Sequence, residues 1–402
     1  MNALPFISSR VRFRSRAAVL SIAVSFFVIT LALAISAGFR GEILDALAEV
    51  QGDITVSAAS YGSDGEGFDA SHNVFAQISA LEQVKEARPV IYAGAMVRSD
   101  SQMHGVMLKG VQIDSLGRYQ LPGTLTDGPY ELSQNGISIP RKLAVLLQAE
   151  VGDVLDCYIV SERVAVRKLR VESMYDAVVT DDDKLIVYCT GAMLARAIDM
   201  PQGCVSAVEL LLRDDARDEK SVSSALEQVR ELLYIHNMDC SQTQLMASSL
   251  RSSYPQLFDW LSLIDSNVLV VLLLMLIVAA VNMISSLLIL LFENISFIGL
   301  LKTLGMRTGR ISALFLLSSS REIAKGLAAG QLLALALCLA QQYGRFFPLD
   351  PENYFLSFLP VRVNLPLLLL CDLVGFALIV LSLLIPCRFI AGVDPTVTLR
   401  AK

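Results

Sequence analysis

Recognisable catalytic chemistry is scarce in this chain. Its 402 residues include three histidines: His72, His104 and His236, too far apart for metal-ligand spacing. No G-x-S-x-G, H-E-x-x-H or P-loop pattern occurs, so the usual signatures of a serine hydrolase, a zinc protease and a P-loop ATPase are absent. No cysteine pair has zinc-type C-x-x-C spacing. Asp181-Asp182-Asp183 reads as a solvated turn between strands more readily than as a cation site. There is no internal repeat. Charged residues make up 18% of the chain. With no nucleophile or metal set, the chain is expected not to be an enzyme and to carry no cofactor of its own.

What the sequence has instead is long apolar runs. Residues 17–39, 268–292, 323–340 and 365–385 are four of them, in a chain that is 54% hydrophobic. A bilayer core needs about 20 apolar helical residues to span it. The runs therefore predict four membrane spans, spaced one plus three. The first is longer than a signal-peptide apolar region, so it is expected to be retained.

Charge is divided along the same lines. Between Arg40 and Asp265 there are 33 acidic and 19 basic residues, a net of −14. The remainder has 6 acidic and 14 basic residues, a net of +8, giving the overall −6. Basic residues near spans tend to stay cytoplasmic. Arg10, Arg12, Arg14 and Arg16 precede the first span. Lys302, Arg307 and Arg310 follow the second, and Arg388, Arg400 and Lys402 follow the fourth. Both termini are then expected in the cytoplasm. The acidic domain is expected outside the inner membrane, which is the periplasm in a Gram-negative cell. Its acidity argues against nucleic acid as a partner.

The expected organisation is a cytoplasmic amphipathic lead (1–16), a first span (17–39) and the large polar domain (40–265). A second span (266–292), a cytoplasmic loop (293–310) and a third span (311–343) follow. A short periplasmic loop (344–364), a fourth span (365–386) and a cytoplasmic tail (387–402) complete the chain. Within the polar domain, Arg40–Val50 keeps a helical period and reads as a stalk leaving the membrane. Phe75–Ala87 and Glu219–His236 read as helices. Pro89–Val97, Gly105–Val111, Val154–Val160 and Val164–Met174 read as strands. Gln242–Asp265 reads as a mostly helical second stalk. The mixture predicts an α+β domain with room for two subdomains. Cys157, Cys189, Cys204 and Cys240 allow two disulfides in an oxidising compartment or serve as small buried hydrophobes.

Polar residues in spans default to functional readings. Asn282 and Asp372 lie deep enough to suggest hydrogen bonds between helices or across a dimer seam. Arg321, Glu322 and Lys325 fit either an ion path or the cytoplasmic headgroup level. Gly326 and Gly330 form a G-x-x-x-G pattern that permits close helix approach. After the second span, Glu293 is followed by Ile295, Ile298, Leu301 and Leu304 on one face of a short helix that Gly305 stops. Such a helix either connects spans at the membrane surface or docks in a cytoplasmic partner.

Three stretches carry a resemblance. Glu293 with Ile298-Gly-Leu-Leu-Lys-Thr-Leu-Gly305 resembles the coupling helix of ABC permeases of the MacB/FtsX/lipoprotein-release superfamily. Residues 349–363, before the fourth span, are similar to a segment of the lipoprotein-releasing permeases of LolC/LolE type. The ending Pro386 to Arg400 resembles that family's terminal Pro…Asp-Pro-x-x-x-Leu-Arg. The resemblance implies a MacB-like periplasmic domain between helices 1 and 2. It implies a permease subunit that pairs with a second copy or paralogue and with stand-alone LolD-like ATPases, which bind the ATP. Glu293, Ile295, Ile298, Leu301, Lys302, Leu304 and Gly305 are then the expected ATPase contact. Lipoproteins would leave the membrane lipid for a LolA-like periplasmic carrier by mechanotransmission. A MacB-like efflux permease and an FtsX-like activator of a cell-wall hydrolase are the alternatives.

Overall fold

The first apolar run lies inside a longer helix, α1 (Arg16–Gln51). The architecture is that of a computed structural model describing residues 16–58, 67–99, 102–111, 132–161, 164–175, 185–239, 243–349 and 358–388. The amphipathic lead, Asp181–Asp183, Cys240 and most of the C-terminal tail lie outside these. The described residues divide into two compact units. One is rich in sheet and runs from Glu42 to Phe258; the other is helical and takes in residues up to Gly41 and from Asp259 onward. Gly52, with φ of 73°, ends α1 in the left-handed region, where a side chain would be strained.

In the sheet-rich unit the elements follow in order. They are β1 (Ile54–Ala58), β2 (Phe68–Asp69), α2 (Asn73–Ser79), β3 (Val84–Arg98), β4 (Met103–Val111), β5 (Gly136–Pro140) and α3 (Arg141–Leu147). Then come β6 (Val154–Ile159), β7 (Ala165–Tyr175), β8 (Ile186–Thr190), α4 (Gly191–Ala197), β9 (Cys204–Val205) and β10 (Ala207–Leu212). The last are α5 (Glu219–Asp239), β11 (Leu245–Ser249) and α6 (Leu250–Ser253). The main sheet has the order β11-β1-β10-β3-β4-β8-β5-β7-β6, and β6 also pairs with β3. That extra pairing closes β3, β4, β8, β5, β7 and β6 into a barrel.

Strand β3 belongs to two lobes. Its first half pairs with β10 from Val84 to Val90, and its second half pairs with β4 from Ile91 to Arg98. The alternation of the strands buries one face in each lobe. Ile54, Val56, Leu210 and Leu212 pack with Ile78, Ala225 and Val229 in the open lobe. Val97, Leu108, Ile137, Ile139, Cys157 and Val187 fill the barrel with Leu143 and Leu194.

Two expected elements are corrected. The helix expected over Phe75–Ala87 ends at Ser79, because Val84 onward is recruited as β3 by pairing with β10. The expected second stalk is interrupted. Leu245 and Ala247 alternate as buried residues of β11 against β1. Tyr254 then takes φ −129° and ψ 58°, outside the helical region that the following proline disfavours. The helix resumes only at Pro255.

The helical unit continues with α7 (Pro255–Glu293), α8 (Ile295–Thr303), α9 (Thr308–Gly344), α10 (Leu365–Ser382) and α11 (Leu384–Cys387). Four helical stretches, Ala17–Gln51, Pro255–Glu293, Thr308–Gly344 and Leu365–Cys387, are long and apolar enough to cross a membrane. Many of their large apolar side chains point outward, among them Leu269, Leu274, Leu332 and Leu370. That pattern suits lipid as the surrounding medium.

Candidate functional site

The short helix α8 is the first candidate. Its sequence places apolar residues three apart, and the fold turns that face inward. Ile298 and Leu301 are buried, packed with Leu287, Leu290, Ile311 and Phe315 of the neighbouring helices. The expectation that Ile295, Ile298, Leu301 and Leu304 share a docking face is therefore corrected: of the four only Leu304 is open, at 75% exposure. Ile295 and Lys302 are half-buried, and Gly305 is exposed. The outward surface is built from Phe292, Glu293, Ser296, Leu300, Thr303 and Leu304. Periodicity identified the helix but had no means of saying which neighbour its apolar face meets. Asn294, at the junction with α7, donates its side-chain amide to the Leu290 carbonyl.

The second candidate is the packing of α1 among the other apolar helices. Gly326 and Gly330 of α9 lie against Ile22 and Ala23. A Cβ on Gly330 would run into the Ala23 carbonyl, and one on Gly326 would sit 2.9 Å from the Ile22 Cβ. Absence of side chains is what lets the two backbones approach. Thr30 donates to Gln331 at 3.2 Å along the same seam. Asn282 of α7 donates to the Ser21 hydroxyl of α1. Farther along, Asp265 accepts from Ser36 at 2.9 Å and pairs with Arg40 at 2.6 Å, while Phe39 meets Trp260 edge-on. Glu322 and Lys325 pair with each other within α9, and Arg321 is half-buried beside them. Asp372 is buried in α10.

The described part of the 349–363 segment also meets α1. Arg362 donates its backbone N–H to the Ala34 carbonyl at 3.1 Å. Pro360 lies where a Cβ on Gly38 would be. Gln341 of α9 braces the segment, donating to the Leu359 carbonyl and accepting from the Phe347 N–H.

The third constellation escaped the sequence reading altogether. Lys109 on β4 and Glu209 on β10 form an ion pair with side chains only 3% and 2% exposed. Lys109 Nζ donates to both carboxylate oxygens, at 2.7 and 2.8 Å, and to the Val50 carbonyl in the last turn of α1. Tyr92 donates its hydroxyl to Glu209, and Nζ lies over the rings of Tyr92 and Tyr188. Burial draws the Lys109 pKa down, and the Glu209 carboxylate opposes that shift. Arg88 donates to the Glu49 carbonyl, and Arg217 pairs with Asp45 and Asp53. Burial raises the Asp53 carboxyl, whose oxygen accepts from the Leu212 N–H. Lys109 and Glu209 are 100 residues apart, so no local pattern announces them.

Of the four cysteines considered for disulfides, Cys157, Cys189 and Cys204 carry free thiols. Cys157 and Cys189 belong to the barrel core, and burial pushes the Cys157 thiol up to about 12. Among the described residues no group of three His, Cys, Asp or Glu side chains is placed to hold a metal ion.

With this geometry in view, residues 269–395 match the family described as FtsX-like permease C-terminal. No curated protein matches the chain. Three solved structures are similar at low identity. The periplasmic region of MacB from Actinobacillus actinomycetemcomitans is 11% identical, covering 54% of this chain and 98% of that one, with a TM-score of 0.31. The extracellular domain of the noncanonic ABC-type transporter YknZ from Gram-positive bacteria is also 11% identical, covering 49% and 99%, with a TM-score of 0.30. A domain of a permease protein from Porphyromonas gingivalis is 10% identical, covering 48% and 86%, with a TM-score of 0.27. The C-terminal part of the chain, α7 to α10 and beyond, is thus similar to an FtsX-like permease, in a chain with four helices able to cross a membrane.

Proposed function

We propose that this chain is a permease subunit of an ABC transporter that releases lipoproteins from the inner membrane to a periplasmic carrier. The observation that carries the reading is the FtsX-like match over residues 269–395, which takes in α7, α8, α9 and α10. The lipoprotein branch rests on the resemblance of residues 349–363 to LolC/LolE-type permeases. The subunit works with a second permease copy or paralogue, and separate ATPase subunits bind and hydrolyse the ATP. The sheet-rich domain faces the periplasm, and both termini face the cytoplasm. The ATPase contact is the outward surface of α8, centred on Glu293, Leu300 and Leu304. ATP-driven closure moves α8, and the motion passes along α7 and α1 to the sheet-rich domain.

The test is reconstitution of the full chain with its partner permease and a stand-alone ATPase in proteoliposomes. ATP is expected to transfer an acylated lipoprotein to a soluble carrier. ATP hydrolysis with the lipoprotein retained would overturn the lipoprotein reading in favour of an efflux or signalling permease. Leu304→Asp is expected to lower ATPase co-purification about tenfold with folding unchanged, because Leu304 is open to solvent. Unchanged co-purification would remove α8 from the ATPase contact.

A further inference from the structure

Helices end with carbonyls that have no partner in the helix, and these carry a partial negative charge. At the end of α1 two cations of the sheet-rich unit meet that charge, and a third pairs with carboxylates beside it. Arg88 of β3 reaches the Glu49 carbonyl, Lys109 of β4 reaches the Val50 carbonyl, and Arg217, after β10, reaches Asp45 and Asp53. Only Lys109 is fully buried, and its counterion Glu209 stands on the strand of the other lobe. Tyr92, whose hydroxyl donates to Glu209, lies on β3 just past the point where its partner changes from β10 to β4.

A buried ion pair is a poor way to hold two strands together. Both ions lose their hydration, and an apolar pair of similar volume often serves as well. An apolar pair has no donor for the Val50 carbonyl, however, and no acceptor for the Tyr92 hydroxyl. The pair therefore does something that packing does not: it ties the last turn of α1 to the barrel and to the open lobe at a single point.

We propose that Lys109 and Glu209 are positioning residues, a polar joint through which movement of α1 is delivered to both lobes at once. This rests on the transport reading above. If only stability were at stake, removing both charges together would leave release unaltered. If the joint transmits motion, the same change uncouples ATP hydrolysis from release.

The experiment uses the full chain, reconstituted with its partner permease and ATPase in lipid nanodiscs, carrying Lys109→Met with Glu209→Met. ATP hydrolysis is expected to stay within about twofold of the parent, while lipoprotein release falls at least tenfold. Amide exchange at Glu49–Asp53 is expected to rise at least tenfold, with β5 and β7 unchanged. Release within twofold of the parent, or unchanged exchange at Glu49–Asp53, overturns the joint. If the parent complex hydrolyses ATP and releases no lipoprotein, the transport reading fails, and exchange at Glu49–Asp53 still decides whether the pair holds α1. Should the double variant not fold, Lys109→Glu with Glu209→Lys carries the same test. That exchange keeps the attraction between strands and turns a carboxylate toward the Val50 carbonyl. Faster exchange at Glu49–Asp53 supports the joint, and parental exchange overturns it.

Discussion

Two of the ion pairs beside helix α1 share chemistry and little else. Arg40 and Asp265 sit at the edge of the apolar runs, with side chains 37% and 43% exposed, and the contact lies open to water. Lys109 and Glu209 are shut away from water and hold the Val50 carbonyl as well. Between Ile22 and Thr30, α1 relies on neither arrangement: Ile22, Ala23 and Phe26 lie against the glycines Gly326, Gly330 and Gly375, and Thr30 bonds Gln331. The difference follows from the medium. Lipid tails already solvate apolar side chains, so helices gain little from burying leucine and more from close backbone approach. In a folded domain a buried cation can satisfy a helix end, provided that every charge has its partner.

The largest effect is expected from removing one buried partner. Lys109→Met leaves Glu209 with no counterion in a dry site and is expected to cost about 3–5 kcal/mol. Denaturant unfolding of the full chain in detergent measures it. A loss below about 1 kcal/mol would put the two ion pairs in the same class.

The intramembrane seam is probed by Gly330→Leu, which drives a side chain into the Ala23 backbone. The expected loss is about 1–3 kcal/mol, read as a lower melting temperature in detergent. Gly94→Ala, at an open position on β3, is the control and is expected to stay within about 0.5 kcal/mol. Equal effects would mean that the seam is loose. Among the contacts of α1, the smallest effect belongs to Arg40→Ala. More than a third of each side chain is exposed, so the expected change is below about 1 kcal/mol and shrinks with added salt.

The parts of this architecture legible in the sequence are those that depend on neighbours in the chain. The apolar runs, α5, β4, β6 and β7, and the short helix α8 all declared themselves by period. The misread parts are those decided by a distant partner. Leu245–Ser249 reads as part of a helix until β1 offers it an edge. Val84–Ala87 reads as the end of a helix until β10 pairs with it. On α8 the apolar stripe at Ile298 and Leu301 is a packing face, because Leu287 and Phe315 are there to meet it.

Local sequence is enough to set the one-plus-three spacing of apolar helices, the separation of charge between the apolar segments and the polar domain, and the absence of recognisable catalytic motifs. These are sums over neighbouring residues, and a bilayer responds to such sums. Tertiary structure alone decided which face of α8 is free, which glycines of α9 touch α1, and that Lys109 and Glu209 meet at its end. Each of these is a contact between residues far apart in the chain, and its energy exists only once the intervening segments have folded.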